Sequence, residues 1–173
     1  MIQFEYYKED RDFGNIYRIF TNDEVGANII TRPDRRDEKS FKHWFDEMLD
    51  RSFHDFLVYY EGNTFVGIAY SYNYRHIDGH CHVSVAVTPE MKMTGAGSEV
   101  ARQILDRMFN SYPLRKVFME IYAHNRESIK AAKEAGLRHE ATLGDYHFCK
   151  GAYEDMEIYS LTRSDYLHIM ELL

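Results

Sequence analysis

The chain has 173 residues, 28 of them acidic against 21 basic, for a net charge of −7. That length suits one domain over residues 1–173 with a core of its own, and the acidic excess argues against nucleic acid as a main partner while favouring a cationic one. Cys81 and Cys149 make neither a disulfide framework nor a Cys-x-x-Cys metal signature. No apolar run approaches a membrane span and the opening MIQFEYYKEDRD has no signal-peptide features, so the expected setting is a reduced cytoplasm with no membrane partner.

In chain order, Ile2–Tyr7 alternates as an edge strand, and Asp12 is placed to cap a short helix through Ile16, Ile19 and Phe20. Thr21–Asp37 is polar, with Gly26 and Pro33, and reads as a loop. Its Thr31-Arg32-Pro33-Asp34-Arg35-Arg36 run mixes both signs of charge and suits a solvated surface better than a phosphate or RNA site. Glu38–Arg51 is a helix with Phe41, Trp44, Phe45, Met48 and Leu49 on one stripe. Phe56–Tyr60 and Phe65–Tyr72 form a hairpin around Glu61-Gly62-Asn63. A polar-aromatic run with Tyr70, Tyr72 and Tyr74 follows, then a turn at Asp78-Gly79.

Next comes His80–Val87, alternating as a strand, stopped by Pro89 and followed by a helix with Val100, Ile104, Leu105 and Met108 on its apolar face. Lys116–Tyr122 is another strand. Asn125 caps a helix over Arg126–Ala135, closed by Gly136. Arg138–Phe148 and Tyr153–Leu161 are strands around Lys150-Gly151. Ser164 caps a C-terminal helix with Tyr166, Leu167, Ile169, Met170, Leu172 and Leu173 as its apolar residues. Strands and helices in this order make an α/β (α+β) protein.

Gly95 and Gly97 stand where the long helix opens, and small residues there leave the first-turn N–H groups open to an anion. The string is neither a P-loop nor a dinucleotide fingerprint, because Gly-Lys-Ser/Thr is absent and the third glycine position is Val100. What remains is basic-x-x-Gly-x-Gly, Lys92-Met93-Thr94-Gly95-Ala96-Gly97. A capped turn without a ligand satisfies the same string.

This hexapeptide resembles the acetyl-CoA pyrophosphate loop of the GNAT superfamily of N-acetyltransferases, with Lys92 in place of the usual Arg or Gln. Asn125-x-x-Ser128-Ile129 followed by Gly136-Leu137 is similar to a second GNAT pattern. The tail Gly151-Ala152-Tyr153-x-Asp155-x-x-x-Tyr159-Ser160-Leu161 resembles the subgroup of ribosomal-protein N-terminal and polyamine acetyltransferases. The resemblance implies a GNAT fold, a mixed central sheet of about six to seven strands flanked by helices. It also implies acetyl-CoA as co-substrate, an acetyl group passed to a primary amine by direct attack on the thioester, and leaves a homodimer open.

On that resemblance, Lys92, Met93, Thr94, Gly95, Ala96, Gly97 and Ser98 hold the pyrophosphate. Val85 and Val87 lie on the strand whose backbone N–H stabilises the thioester oxyanion beside a bulge within Ser84–Val87, and Asn125 and Ser128 contact the cofactor. Asn125 as a helix cap alone explains its presence equally. A protonated amine needs a base. Glu120 matches the glutamate of the ribosomal enzymes, and its strand-mates Phe118 and Tyr122 are expected to raise its pKa. His82 is the rival, sharing a face with His80 and Ser84, but the two histidines lack a third metal ligand at convincing spacing. The family's acid, a Tyr seven residues after the capping Asn, is replaced by Ala132. Ser128, Tyr122 and Tyr153 are the other hydroxyls available.

The acceptor is expected to be a peptide or protein N-terminus, with a polyamine, amino sugar or antibiotic amine close behind. Asp23, Glu24, Asp34, Asp37, Asp145 and Glu154 are candidate ammonium partners, while Arg32, Arg35 and Arg36 suit a carboxylate or phosphate. Two further readings stay open: a non-catalytic acyl-CoA-binding module, suggested by Ala132 and Lys92, and a partner-binding domain using exposed tyrosines.

Overall fold

The computed structural model describes residues 1–33, 37–149 and 151–171. Among the described residues, seven strands, hydrogen-bonded in the order β1-β2-β3-β4-β5-β7-β6, make one mixed sheet, and five segments are α-helices. The strands are β1 (Ile2–Tyr6), β2 (Phe56–Glu61), β3 (Thr64–Arg75), β4 (His80–Val87), β5 (Lys116–Tyr122), β6 (Arg138–Cys149) and β7 (Ala152–Thr162). The helices are α1 (Glu9–Thr21), α2 (Glu38–Arg51), α3 (Ala96–Ser111), α4 (Arg126–Glu134) and α5 (Arg163–Glu171). The described chain divides into two compact units, Met1–Asn73 with Ser84–Ala101, and Tyr74–Val83 with Arg102–Leu173.

In the first unit, β2–β3 is an antiparallel hairpin and β1 adds antiparallel to β2, with Phe4 opposite Tyr59 and Leu57 opposite Ala69. Its core joins Ile16, Ile19 and Phe20 of α1 to Phe41 and Phe45 of α2 and to Phe56, Val58, Ile68 and Tyr70 of the sheet. The rings interlock; Phe53 and Tyr70 lie 4.4 Å apart and Phe45 and Phe56 5.1 Å apart, edge on. Tyr70 and Tyr72 are therefore core residues, at 0 % and 4 % exposure, and not the exposed tyrosines a partner-binding surface would need. An inner strand covered by neighbours on its face has no room for solvated rings there.

Asp12 departs from expectation. It lies inside α1 with Lys8 at the cap position, and reaches back to accept the Lys8 N–H at 2.7 Å. It also accepts from Arg11 Nε at 2.5 Å and Tyr60 Oη at 2.7 Å, and is fully buried. Burial pushes its carboxyl up, but the hydrogen bonds from Arg11, Tyr60 and Lys8 outweigh burial and hold it below 3.8.

In the second unit, β5 pairs with β7 and β7 with β6, both antiparallel, while β4 and β5 run parallel over His80↔Lys116, Cys81↔Val117 and His82↔Phe118. The α4 cap is Asn125, whose side chain accepts the Ser128 N–H at 3.2 Å, and Gly136 closes the helix at φ +83°. At α5 the cap is Thr162, whose Oγ1 accepts the Asp165 N–H at 3.1 Å, so Ser164 is displaced from that role because the helix already begins at Arg163. Leu172 and Leu173, Asp34, Arg35, Arg36 and Lys150 lie outside the described residues.

Replacing Asp12 with Ala should lower the unfolding free energy by about 1.5–3 kcal/mol, a charged acceptor's hydrogen bonds, read as a fall in urea midpoint at unchanged slope. Because the folded carboxyl titrates below its unfolded value, its contribution is full above that unfolded value and is lost as pH falls through the acid range. The gap between wild type and variant should therefore narrow between about pH 7 and about pH 3. A constant gap would contradict the assignment.

Candidate active site

The glycine loop lies in the first unit. Thr88 N–H donates to the Val66 carbonyl at 2.9 Å, ending β4, and a 3₁₀ turn at Pro89–Met91 leads to Lys92. Met93 takes φ +59° and Gly95 φ +89°, so the chain reverses sharply before α3. Thr94 Oγ1 donates to the Met91 carbonyl at 2.7 Å and accepts the Ala96 N–H at 3.3 Å, which rigidifies the turn. Beyond it, the N–H groups of Gly97 and Ser98 belong to the first helical turn, where no carbonyl four residues back is in the helix.

A Cβ built at Gly97 meets no atom of the chain within 4 Å, and the same holds at Gly95. Only Gly95 has a backbone conformation that calls for glycine. Among the described residues nothing meets a Cβ at 97, and that open space would admit a phosphate to the first-turn amides. The loop residues thus fit the cofactor's pyrophosphate. Lys92 is ion-paired to Glu24, Nζ to Oε1 at 2.5 Å.

Along β4 the buried positions are Cys81 and Val83, then Ala86, with Ser84, Val85 and Val87 all half-buried. The strict alternation expected as far as Val87 breaks at Ser84–Val85. This is the segment in which the family resemblance places a bulge. Gly67 of β3 admits the close approach there, since a Cβ at Gly67 would stand 2.3 Å from the Ala86 carbonyl oxygen.

The acid–base candidates lie in the second unit. His82 Nε2 stands 3.8 Å from Glu120 Oε1, and both side chains are mostly covered, at 18 % and 19 % exposure. Phe118 stacks on the His82 ring at 5.3 Å and meets His80 edge on at 5.4 Å. Burial pushes the His82 pKa down, the Glu120 charge pulls it back up, and His80 adds a smaller downward push, for a net lowering. His82 is therefore a neutral imidazole at neutral pH.

Farther along the face, Tyr122 stacks between His147 at 4.1 Å and His124 at 5.9 Å, and His124 pairs with Glu154. At the other end, Glu140 takes Lys116 Nζ at 2.6 Å and Ser160 Oγ at 2.5 Å.

The hydroxyl candidates fare unequally. Tyr153 is 64 % exposed at the hairpin end, packed on Phe148. Glu120 pairs with Ile158, five residues along β7, so Tyr153 lies roughly 16 Å down the strand from that register. Tyr122 is nearly buried at 4 %, and Ser128 sits in the first turn of α4. Ala132 is 3 % exposed, so the missing family hydroxyl belongs to a packed position.

Among the ammonium candidates, Asp37 accepts the Ser40 N–H as the cap of α2, and Glu154 is held by His124. Arg32 donates to the Ala27 carbonyl at 3.3 Å. Asp34, Arg35 and Arg36 cannot be placed on the site, being outside the described residues. The Glu24–Lys92 pair had no signal in the sequence, since its members are 68 residues apart.

Comparison with known proteins gives the family. An acetyltransferase (GNAT) domain model matches residues 3–138. The chain is similar to the SPbeta prophage-derived uncharacterized N-acetyltransferase YokL of Bacillus subtilis (strain 168), at 24 % identity over 145 residues, covering 84 % of this chain and 82 % of that protein. Its fold resembles that of spermidine N-acetyltransferase from Vibrio cholerae in complex with CoA and spermine, with a TM-score of 0.87 at 17 % identity, covering 96 % of this chain and 98 % of the other. A mutant form of the Vibrio cholerae spermidine/spermine N-acetyltransferase superposes with a TM-score of 0.85 at 16 % identity, covering 98 % of each chain. The chain belongs to the GNAT acetyltransferase family and is an N-acetyltransferase with acetyl-CoA as its co-substrate.

Proposed function

We propose that the chain transfers the acetyl group of acetyl-CoA to a primary amine of a small cationic acceptor of the polyamine type. The observation that carries the cofactor half of this reading is Gly97, a glycine in open space at the first turn of α3. Lys92, Met93, Thr94, Gly95, Ala96, Gly97 and Ser98 are assigned to the pyrophosphate, and the backbone of Val85 and Val87 to the acyl arm. Asn125 acts as the α4 cap, which accounts for it fully, and Ser128 supplies the N–H that it binds.

For the acceptor, the net charge of −7 and the likeness to polyamine acetyltransferases support a cationic amine. The peptide N-terminus rests on the sequence resemblance alone.

Glu120 is assigned as the base. Its carboxylate takes the proton of the incoming ammonium, the freed nitrogen attacks the thioester carbon, and the C–S bond breaks as that nitrogen sheds its remaining extra proton to water, leaving the neutral amide and a thiolate. His82, kept neutral by burial, is the second proton acceptor on the same face. The thiolate, with a pKa near ~8.5, takes its proton from water, since Ala132 has no hydroxyl and Tyr153 stands at the exposed hairpin end.

Gly97→Glu should abolish acetyl-CoA binding in calorimetry, because the new carboxylate covers the amides and opposes the phosphates. Unchanged affinity would remove the pyrophosphate assignment. Glu120→Gln should cut turnover on the order of 10²-fold at neutral pH, with recovery at high pH where the amine loses its proton unaided. A pH-independent null effect, with the loss found in His82→Asn instead, would transfer the base to His82. In a thiol-release panel, turnover on spermidine and none on N-terminal peptides is expected, and the reverse pattern would restore the peptide reading.

The His82 ring should titrate below 6.5 by NMR, and lower still in Glu120→Gln, which removes the charge that pulls it up. A rise in that variant would contradict the cluster's electrostatics. Since the folded ring resists protonation, its contribution to stability is present above about pH 6.5 and fades as pH falls below it.

A further inference from the structure

The pairing of Lys92 with Glu24 gives the cofactor loop an occupant from its own chain. The carboxylate that makes it is fixed at the backbone. Asn22 Oδ1 accepts the N–H groups of both Glu24 and Val25 at 2.9 Å, and Asn28 Nδ2 donates to the Glu24 carbonyl at 2.9 Å. Val25, Gly26 and Ile29 are buried beneath it. A Cβ at Gly26 would stand 2.2 Å from the Phe20 carbonyl oxygen, so this loop sits flush against the end of α1. Glu24 thus projects from a pinned turn, and its side chain keeps 66 % exposure while meeting a Lys92 side chain exposed only 26 %.

We infer that Glu24 is a stand-in anion, holding Lys92 where the cofactor's phosphates go, and that its displacement couples cofactor binding to capture of the cationic acceptor. The inference rests on the loop Lys92–Ser98 as the pyrophosphate site. A pyrophosphate carries more charge than one carboxylate and adds the first-turn amides as partners, so it wins the ammonium. Glu24 is then left with its charge uncompensated on a turn that cannot follow Lys92. A protonated amine restores the balance. Each ligand therefore strengthens the binding of the other, because coupling between two sites is reciprocal. An uncharged side chain at position 24 neither competes with phosphate nor recruits the amine.

The test is calorimetry with CoA and with spermidine on wild type, Glu24→Gln, Lys92→Gln and the double variant. In low salt Glu24→Gln should bind CoA about two- to fivefold more tightly than wild type, the range expected for release of one exposed ion pair. The gain should vanish in the Lys92→Gln background, as a pairwise interaction requires. Spermidine should bind wild type several-fold more tightly with CoA present than without, and Glu24→Gln equally in both conditions. Equal or weaker CoA binding in Glu24→Gln overturns the competition, and spermidine binding indifferent to CoA in wild type overturns the coupling. Failure of the loop assignment shows separately: wild type then binds no CoA, or Gly97→Glu binds it normally, and neither result involves Glu24.

Discussion

The loop proposed to bind the cofactor depends on one close approach, that of β3 to β4 at Gly67. The Ala86 carbonyl oxygen and Val87 Cα occupy the space a side chain would need, at 2.3 and 2.8 Å from a built Cβ. Alanine at 67 would force the strands apart just where β4 changes which positions it buries. The Thr88–Val66 hydrogen bond then fixes the end of the strand, and the 3₁₀ turn, Lys92 and the first turn of α3 take their positions from that end. Polar recognition at the loop is thus set by a steric allowance one strand away.

The two proposed roles, phosphate binding at the glycine loop and proton transfer on β5, draw on opposite physics. In the proposed role the loop presents backbone donors past small residues, so what matters there is the side chain that Gly95 and Gly97 lack. The β5 face works by covering groups that prefer water. Phe118 lies on His82 at 5.3 Å and burial keeps the imidazole neutral, while the 3.8 Å neighbour Glu120 partly opposes that effect. A covered face of this kind is suited to moving protons, and an open one to holding charge.

Much of this was legible in the sequence. Element periodicity and turn residues place the strands and α-helices of the described residues close to where they are found, while the short 3₁₀ turns at Gly26–Asn28 and Pro89–Met91 have no such repeat to announce them. The loop string alone fits an ordinary capped turn as well, and it points to a phosphate site only in company with the Asn125-x-x-Ser128-Ile129 and tail motifs. What stays hidden depends on distant partners. Asp12 looks like a cap until Tyr60 is known to reach it, and Tyr70 and Tyr72 look solvated until α1 and α2 close over the sheet. Tyr153 looks like an acid until register carries it down the hairpin. Lys92 looks free for phosphate until Glu24 meets it. Local pattern specifies the elements, and pairing across the chain specifies what each polar group does.

The long β6–β7 hairpin has a consequence for the time course of assembly. Its strands are joined through the turn at Gly151, so closing it costs little chain entropy, and a hairpin of this kind forms on the order of microseconds. The parallel contact of β4 with β5 must wait for the whole of α3 to be laid down between them. The contact between residues 24 and 92 spans 68 residues and is won late. The β6–β7 hairpin is therefore the low-contact-order part of the sheet, while the Lys92–Glu24 pair belongs to its long-range contacts.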